Sequence, residues 1–247
     1  MAATITPATL TVTANADARF VGQTDATGFN GVSYAGFVAG QDASTAGLTG
    51  SLAITRSNAS TGSAGSYAGV LVPSGLSAGN YAINNVAGNY EIIPAGQVLV
   101  KVANTTNVYG ATSNYAVSSV QYMTVGGNVL SSLTLGTVSG STYTFVDGIN
   151  GSLTFTLGAN GRLTPAGFLP VGNYVIAGSG IGQTGTNFTG TPTIIGVQTI
   201  TPKALTTTAS KVYDGTTVYT SAQIGLNGVL AGDTVSATGS AELATAG

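Results

Sequence analysis

Tyr213-Asp214-Gly215 places a phenol, a carboxylate and a turn-forming glycine side by side in a chain that has few charges. A carboxylate next to a phenol suits two kinds of chemistry: ligation of a calcium ion, or capture of a glycan with the ring stacked on a sugar. Calcium asks for about six to eight oxygen ligands, several of them carboxylates. The acids are Asp17, Asp25, Asp42, Glu91, Asp147, Asp214, Asp233 and Glu242, with no D-x-D-x-D-G run among them. A calcium site here would have to be built from Asp214 and Asp233 with backbone carbonyls. The competing reading is structural: the tyrosine covers a core edge while Asp-Gly turns the chain. Tyr109-Gly110 holds the comparable place earlier in the chain without an Asp, which favours the structural reading.

Other chemistries lose their usual side chains. The sequence has no Cys, no His and no Trp, which removes the common ligands of zinc, copper, haem and iron–sulfur centres. Nucleophilic and acid–base catalysis by Cys or His goes with them. A glycosidase needs two convergent carboxylates, and the scarcity of acids argues against that pair. We therefore expect no enzyme, no catalytic residue and no cofactor.

Composition points to a neutral surface. Charged residues make up 6% of the 247 and hydrophobic residues 43%, so a core can form under a coat of Thr, Ser, Asn and Gly. Arg19, Arg56, Lys101, Arg162, Lys203 and Lys211 are scattered, which leaves no basic stripe for nucleic acid. A formal net charge of −2 opposes side-by-side association only weakly, so homotypic association is allowed. No apolar run approaches the roughly 20 residues of a membrane span, and residues 1–30 lack a signal-peptide pattern. The chain reads as an excised fragment.

The elements that must hold these residues are strands. Thr9–Ala14 alternates Leu10 and Val12 with threonines. Val98, Val100 and Val102 share one face, as do Leu153, Phe155 and Leu157. Period-two patterning of this kind predicts half-buried antiparallel strands. Asp147-Gly148, Asn150-Gly151, Asn160-Gly161, Asp214-Gly215 and Asn227-Gly228 supply turns between them. Tyr81, Tyr90 and Tyr174 stand two residues before Ile83, Ile92 and Ile176, the pattern of sheet or core residues. The chain is expected to be all-β.

The sequence also repeats. Residues 5–22 resemble 92–110 and again 200–215, with Pro7, Pro94 and Pro202 spaced 87 and 108 residues apart. A second shared element is Gly-Asn-Tyr, at 79–81 and 172–174. Such spacings suit a string of β-domains better than the roughly 20–50-residue coils of a solenoid, although a β-helix remains the alternative. At each Ile-x-Pro junction one strand ends and the next begins almost at once. Proline restricts itself and its predecessor, so these joints should be stiff.

The junction, the alternating strand, the Tyr-Gly corner and the Gly-Asn-Tyr element, in that order, resemble the mostly-β, glycine-rich (MBG) domains. The last stretch, with "KVYDGTT" at 211–217, is similar to the related YDG domain. Both families occur in tandem in bacterial surface and secreted adhesins of the filamentous-haemagglutinin type. The resemblance implies MBG-like domains at 1–97 and 98–202 and a truncated YDG-like domain at 203–247. It departs at Phe20-Val21-Gly22, where the family's Tyr before Gly is missing, and at Gly/Thr-rich insertions around 126–150 and 177–193.

It further implies β-sandwich-like domains placed end to end as a rod, outside the cell or on its surface. The implied work is that of a stalk or spacer presenting an adhesive tip, partnered by neighbouring domains of the parent adhesin. A strand-exchanging filament subunit and a glycan-binding module are the alternatives. Pro7, Pro94 and Pro202 would set the joints, and Gly22, Gly110 and Gly215 the corners.

Overall fold

The computed structural model describes residues 4–126, 129–212 and 214–242. Among these the chain is all-β: strands throughout, a single turn of 3-10 helix at Ser221–Gln223, and no α-helix. The first repeat forms β1 (Ala8–Ala14), β2 (Asp17–Phe20), β3 (Val32–Ala35), β4 (Leu48–Arg56), β5 (Gly65–Ala78), β6 (Tyr81–Val86) and β7 (Gly88–Ile93). The second begins with β8 (Val98–Val102), β9 (Thr105–Val108), β10 (Val117–Met123), β11 (Leu130–Ser132) and β12 (Thr134–Ser139). It continues with β13 (Thr142–Val146), β14 (Ser152–Ala159), β15 (Gly172–Thr184), β16 (Thr193–Ile195) and β17 (Val197–Thr201). The remainder holds β18 (Thr206–Ala209), β19 (Val218–Thr220), β20 (Ile224–Asn227) and β21 (Ser240–Glu242).

Two compact units result. The first comprises Met1–Thr105, Ser113–Asn160 and Gly172–Thr199; the second comprises Thr106–Thr112, Gly161–Val171 and Ile200–Gly247.

Within the first unit the two repeats build the same pair of sheets. In the first repeat these are β3-β1-β6 and β2-β7-β5-β4. In the second they are β11-β10-β8-β16 and β12-β13-β14-β15-β17. The central strand of each smaller sheet pairs antiparallel on one side (β1 with β3, β8 with β10) and parallel on the other (β1 with β6, β8 with β16). β2 and β7 are parallel as well. The alternation predicts antiparallel strands, and the three pairs β1–β6, β8–β16 and β2–β7 are parallel instead. Parallel neighbours bring together segments far apart in sequence, such as Leu10 and Ile83, and no hairpin signal announces them.

The period-two faces go where expected. Leu10 and Val12 are fully buried, with Tyr81, Leu48, Leu76 and Ala78 packed around them, so the first repeat's two sheets share this cluster. Val98, Val100, Val102, Leu153, Phe155, Leu157 and Ile176 form the corresponding cluster of the second repeat. On the other face of β13 and β14, threonine hydroxyls bond across the strands, Thr142 to Thr156 at 2.7 Å and Thr144 to Thr154 at 2.9 Å.

Among the described residues, the added stretches around 126–150 and 177–193 are built in rather than looped out. Asp147 Oδ1 accepts hydrogen bonds from the amides of Ile149, Asn150 and Gly151, and its Oδ2 accepts one from Asn187 Nδ2 at 2.7 Å. Those amides, with Asn187, hold the Asp147 carboxyl below the usual carboxylate range. Phe188, beside Asn187, is buried against Tyr122 with ring centroids 5.2 Å apart.

The repeat elements do not all align as the motifs suggest. Asn15 N donates to Gly31 O at the end of β1, and Ala103 N donates to Ala116 O at the end of β8. Asn15 therefore corresponds to Ala103, not to Asn104, and Leu10, Val12 and Ala14 correspond to Val98, Val100 and Val102. Gly-Asn-Tyr is also a false pair. Tyr81 opens β6, whereas Gly172 opens β15 beside β14 and β17. The counterpart of Gly172-Asn173-Tyr174 is Gly65-Ser66-Tyr67 at the start of β5. Both glycines have φ +155°, and a Cβ at either would lie 3.6 Å from the tyrosine Cζ two residues on.

Candidate functional site

The residues that sequence alone cannot place are those that join the two repeats inside the first unit. Ala18 and Phe20 of β2 and Ile93 of β7 pack with Leu99 of β8, Met123 of β10 and Ile195 of β16 in a single buried cluster. The chain passes from β7 to β8 through exposed Pro94 and half-buried Ala95, and Gly96 N donates to Met123 O at 2.7 Å. The joint is thus a piece of core. Phe20, Ile93 and Leu99 are each nearly or wholly buried, worth about 1.5–3 kcal/mol apiece by area.

Polar links reinforce it. Lys101 Nζ sits 2.9 Å from Asp17 Oδ1, whose side chain is 2% exposed, and the Ala18 amide donates to the same oxygen at 2.8 Å. Thr193 donates to Glu91 at 3.1 Å, and Asn104 Nδ2 to Asn30 O at 3.0 Å. Each bond runs from the second repeat to the first.

Beside this joint lies a partly buried ionic knot. Asp25 accepts from Arg19 Nε at 2.7 Å, from Arg56 Nε at 2.8 Å and from the Tyr90 hydroxyl at 3.1 Å. Arg56, 6% exposed, spends its remaining donors on the carbonyls of Asn58, Ala59 and Thr61 and lies 5.1 Å over the Tyr90 ring. Burial pushes the Asp25 carboxyl up, but the hydrogen bonds from Arg56, Arg19 and Tyr90 outweigh it and hold it below its ordinary value. Burial, with Asp25 alongside, pushes the Tyr90 phenol well above its own. Four side chains from β2, β4, β7 and the loop after β2 are thereby tied to one another.

Two glycines missed in the sequence make the strand crossings possible. A Cβ on Gly88 would overlap the Ala14 carbonyl oxygen, and one on Gly196 would come 3.0 Å from both the Cβ and the carbonyl oxygen of Val102. Ala14 and Val102 are counterparts, so this is one crossing used twice. Each glycine stands six residues before its junction proline, Pro94 or Pro202, and that spacing was the available signal.

The residues singled out from sequence fall as follows. Pro7, Pro94 and Pro202 are exposed, each beside a strand end. Pro7 lines a shallow cavity with Ile5, Val38, Gln41 and Tyr81, in which the Tyr81 hydroxyl bonds Gln41 and accepts from Val38 N. Gly22, Gly110 and Gly215 have φ of +80°, +86° and +79°, the left-handed corners their motifs suggest. Tyr81 and Tyr90 are 4% and 2% exposed, so their rings belong to the core.

In the second unit, Tyr109 packs edge-on against Phe168 and its hydroxyl donates to Asp233 Oδ1 at 2.8 Å. Asp214 Oδ1 accepts from Lys211 Nζ at 2.7 Å and from Thr216 N at 3.0 Å. Lys211 and Thr216 lower the Asp214 pKa to about 2. The two acids considered for calcium thus have separate partners. Tyr213 lies outside the described residues. Among those described, no group of three or more acids converges as a metal site, and no helix is long and apolar enough to cross a membrane.

The family model of the MBG domain (YGX type) matches residues 10–91, a third of the chain. The match runs from within β1 to within β7 and takes in the ionic knot and, of the first-repeat side of the joint, Ala18 and Phe20 but not Ile93. No curated protein and no solved structure matches the chain.

Proposed function

We propose that the chain is a stalk segment of a bacterial surface or secreted adhesin, which spaces and presents an adhesive tip without turning over a substrate. The MBG match over 10–91 supports an adhesin-type β-domain. The observation that carries the mechanical role is the buried cluster across Pro94, reinforced by Asp17–Lys101. A joint made of core transmits tension and orientation, where a flexible linker would dissipate both. Joints of this kind, repeated along a parent protein, would space the tip from the cell, with the neutral surfaces of the domains facing the medium outside it.

Single-molecule pulling of the intact chain tests this reading. Residues 8–201 should release in one cooperative event of about 70 nm, at roughly 3.5 Å per residue. Two separate events of about half that length, with the first repeat yielding alone, would overturn the mechanical reading.

A further inference from the structure

The second repeat carries a hairpin that the first repeat lacks. β4 pairs with β5 and β14 pairs with β15, so β14 is the counterpart of β4. β4 ends its sheet, whereas β14 bears β13 and then β12 on its far side. Among the described residues no strand pairs with the outer side of β12, and Thr134–Ser139 are all exposed. Two of these residues are large and apolar: Leu135 is 55% exposed and Val138 51%. Leu135 stands opposite Phe145 and Val138 opposite Tyr143, with a bulge at Gly136 between them, so both point to the core face of the sheet. Ser139 and Thr142 flank the two-residue turn and exchange main-chain bonds there. By alternation the N–H and C=O groups of Val138 face the open side, and past the bulge those of Leu135 do the same. Free strand edges commonly carry a charge that repels a second strand. β12 and β13 have none, and no charged residue occurs between Lys101 and Asp147.

We propose that β12 is a contact edge for a second copy of this chain, the two β12 strands pairing antiparallel about a two-fold axis. The strand's own sequence selects this occupant, because it is complementary to itself. With Leu135 opposite Val138 of the second copy, Thr134 falls opposite Ser139 and Gly136 opposite Thr137, and the two-fold axis repeats each pair. That register covers the exposed Leu135 and Val138 with each other on one face and pairs hydroxyls on the other. It also brings the main-chain groups of Leu135 and Val138 together, for about four hydrogen bonds, and makes the two bulges coincide. A formal charge of −2 on each copy opposes the contact only weakly. Six residues a side bury much less than the roughly 800 Å² per partner of a standard interface, so one such contact is weak and reversible. Many of them along adjacent stalks would act together. The inference deepens the stalk reading by naming the edge through which neighbouring stalks associate. The two fail separately: dimers can be absent while residues 8–201 still release in one event.

The test is sedimentation velocity of the full chain from about 5 to about 500 μM, a range suited to a weak contact. The mass should rise with concentration toward twice that of the monomer. Val138→Lys places a charge at both ends of the pairing on an exposed side chain, and should weaken association about tenfold or more with an unchanged circular dichroism spectrum. A second measurement reads the register. The chain has no Cys, so Thr134→Cys and Ser139→Cys chains can be mixed under mild oxidation. Opposite residues of an antiparallel pair lie within the roughly 4.4–6.8 Å that a disulfide spans, so the mixture should cross-link. Either variant alone should cross-link far more slowly, because its two cysteines would lie roughly 15 Å apart along the strands. A monomer at every concentration, or cross-linking no faster in the mixture than in either variant, would overturn the proposal. A dimer that Val138→Lys leaves intact would place the contact on another surface and overturn it as well.

Discussion

β1 and β18 have closely related sequences and occupy the same place in their repeats, with Ser210 N donating to Gln223 O as Asn15 N does to Gly31 O, yet their surroundings are opposite. Leu10, Val12 and Ala14 are 0%, 0% and 2% exposed, whereas Leu205 is 37% exposed and Thr206–Ala209 lie in the open. The difference comes from segments distant in sequence. β1 is covered by β6 on its edge and by Leu48, Leu76 and Ala78 of β4 and β5 on its face. Every cluster of buried apolar side chains among the described residues lies in the first unit. The second unit has polar contacts such as Tyr109–Asp233 and Lys211–Asp214 and the Tyr109–Phe168 ring contact, and among its described residues Ile200 is the one buried apolar side chain. In this fold an alternating strand becomes core only when later strands of the repeat return to it.

Four tests sharpen that contrast. The largest effect is expected from Gly88→Ala, because the new methyl meets the backbone of Ala14 and neither chain can give. It should cost more than about 3 kcal/mol in urea unfolding of the first unit. Leu10→Ala should cost about 2–5 kcal/mol, while Leu205→Ala at the counterpart position should stay within about 0.5 kcal/mol. Equal costs for the two leucines would erase the distinction between β1 and β18. Lys101→Ala strands the buried Asp17 carboxylate and should cost about 2–4 kcal/mol. Asp17→Ala should cost less, since the Lys101 side chain is 35% exposed and can turn to water.

The smallest effect is pH-dependent. The Asp25 pKa is lower folded than unfolded, so its contribution is present above the unfolded carboxylate value of about 4 and fades as pH falls through the folded one. Denaturation midpoints of wild type and Asp25→Asn, measured from pH 7 to pH 3, should therefore converge toward the acid end.

Much of the local structure was legible. The faces of β1, β8 and β14, the left-handed Gly22, Gly110 and Gly215, and the junction prolines could all be read from alternation and turn chemistry. Pairing could not. Parallel neighbours such as β1 and β6 are set by which faces need covering, and that is decided far along the chain. Short motifs misled for the same reason: Gly-Asn-Tyr at 79–81 and at 172–174 fall in strands with different neighbours. The joint was expected to be stiff because of Pro94, but the side chains that make it so are Phe20, Ile93, Leu99 and Met123, spread over more than 100 residues. The ionic knot was invisible because Arg19, Asp25, Arg56 and Tyr90 converge only after folding.

Hydrogen exchange followed by mass spectrometry on the native chain tests the shared joint most directly. Peptides covering β2 and β7 should exchange with the same opening free energy as those covering β8 and β16, while β18 and β20 exchange far faster. Protection of β2 and β7 that is lost well before that of β8 and β16 would show that the repeats open independently, and would contradict the joint of core at Pro94.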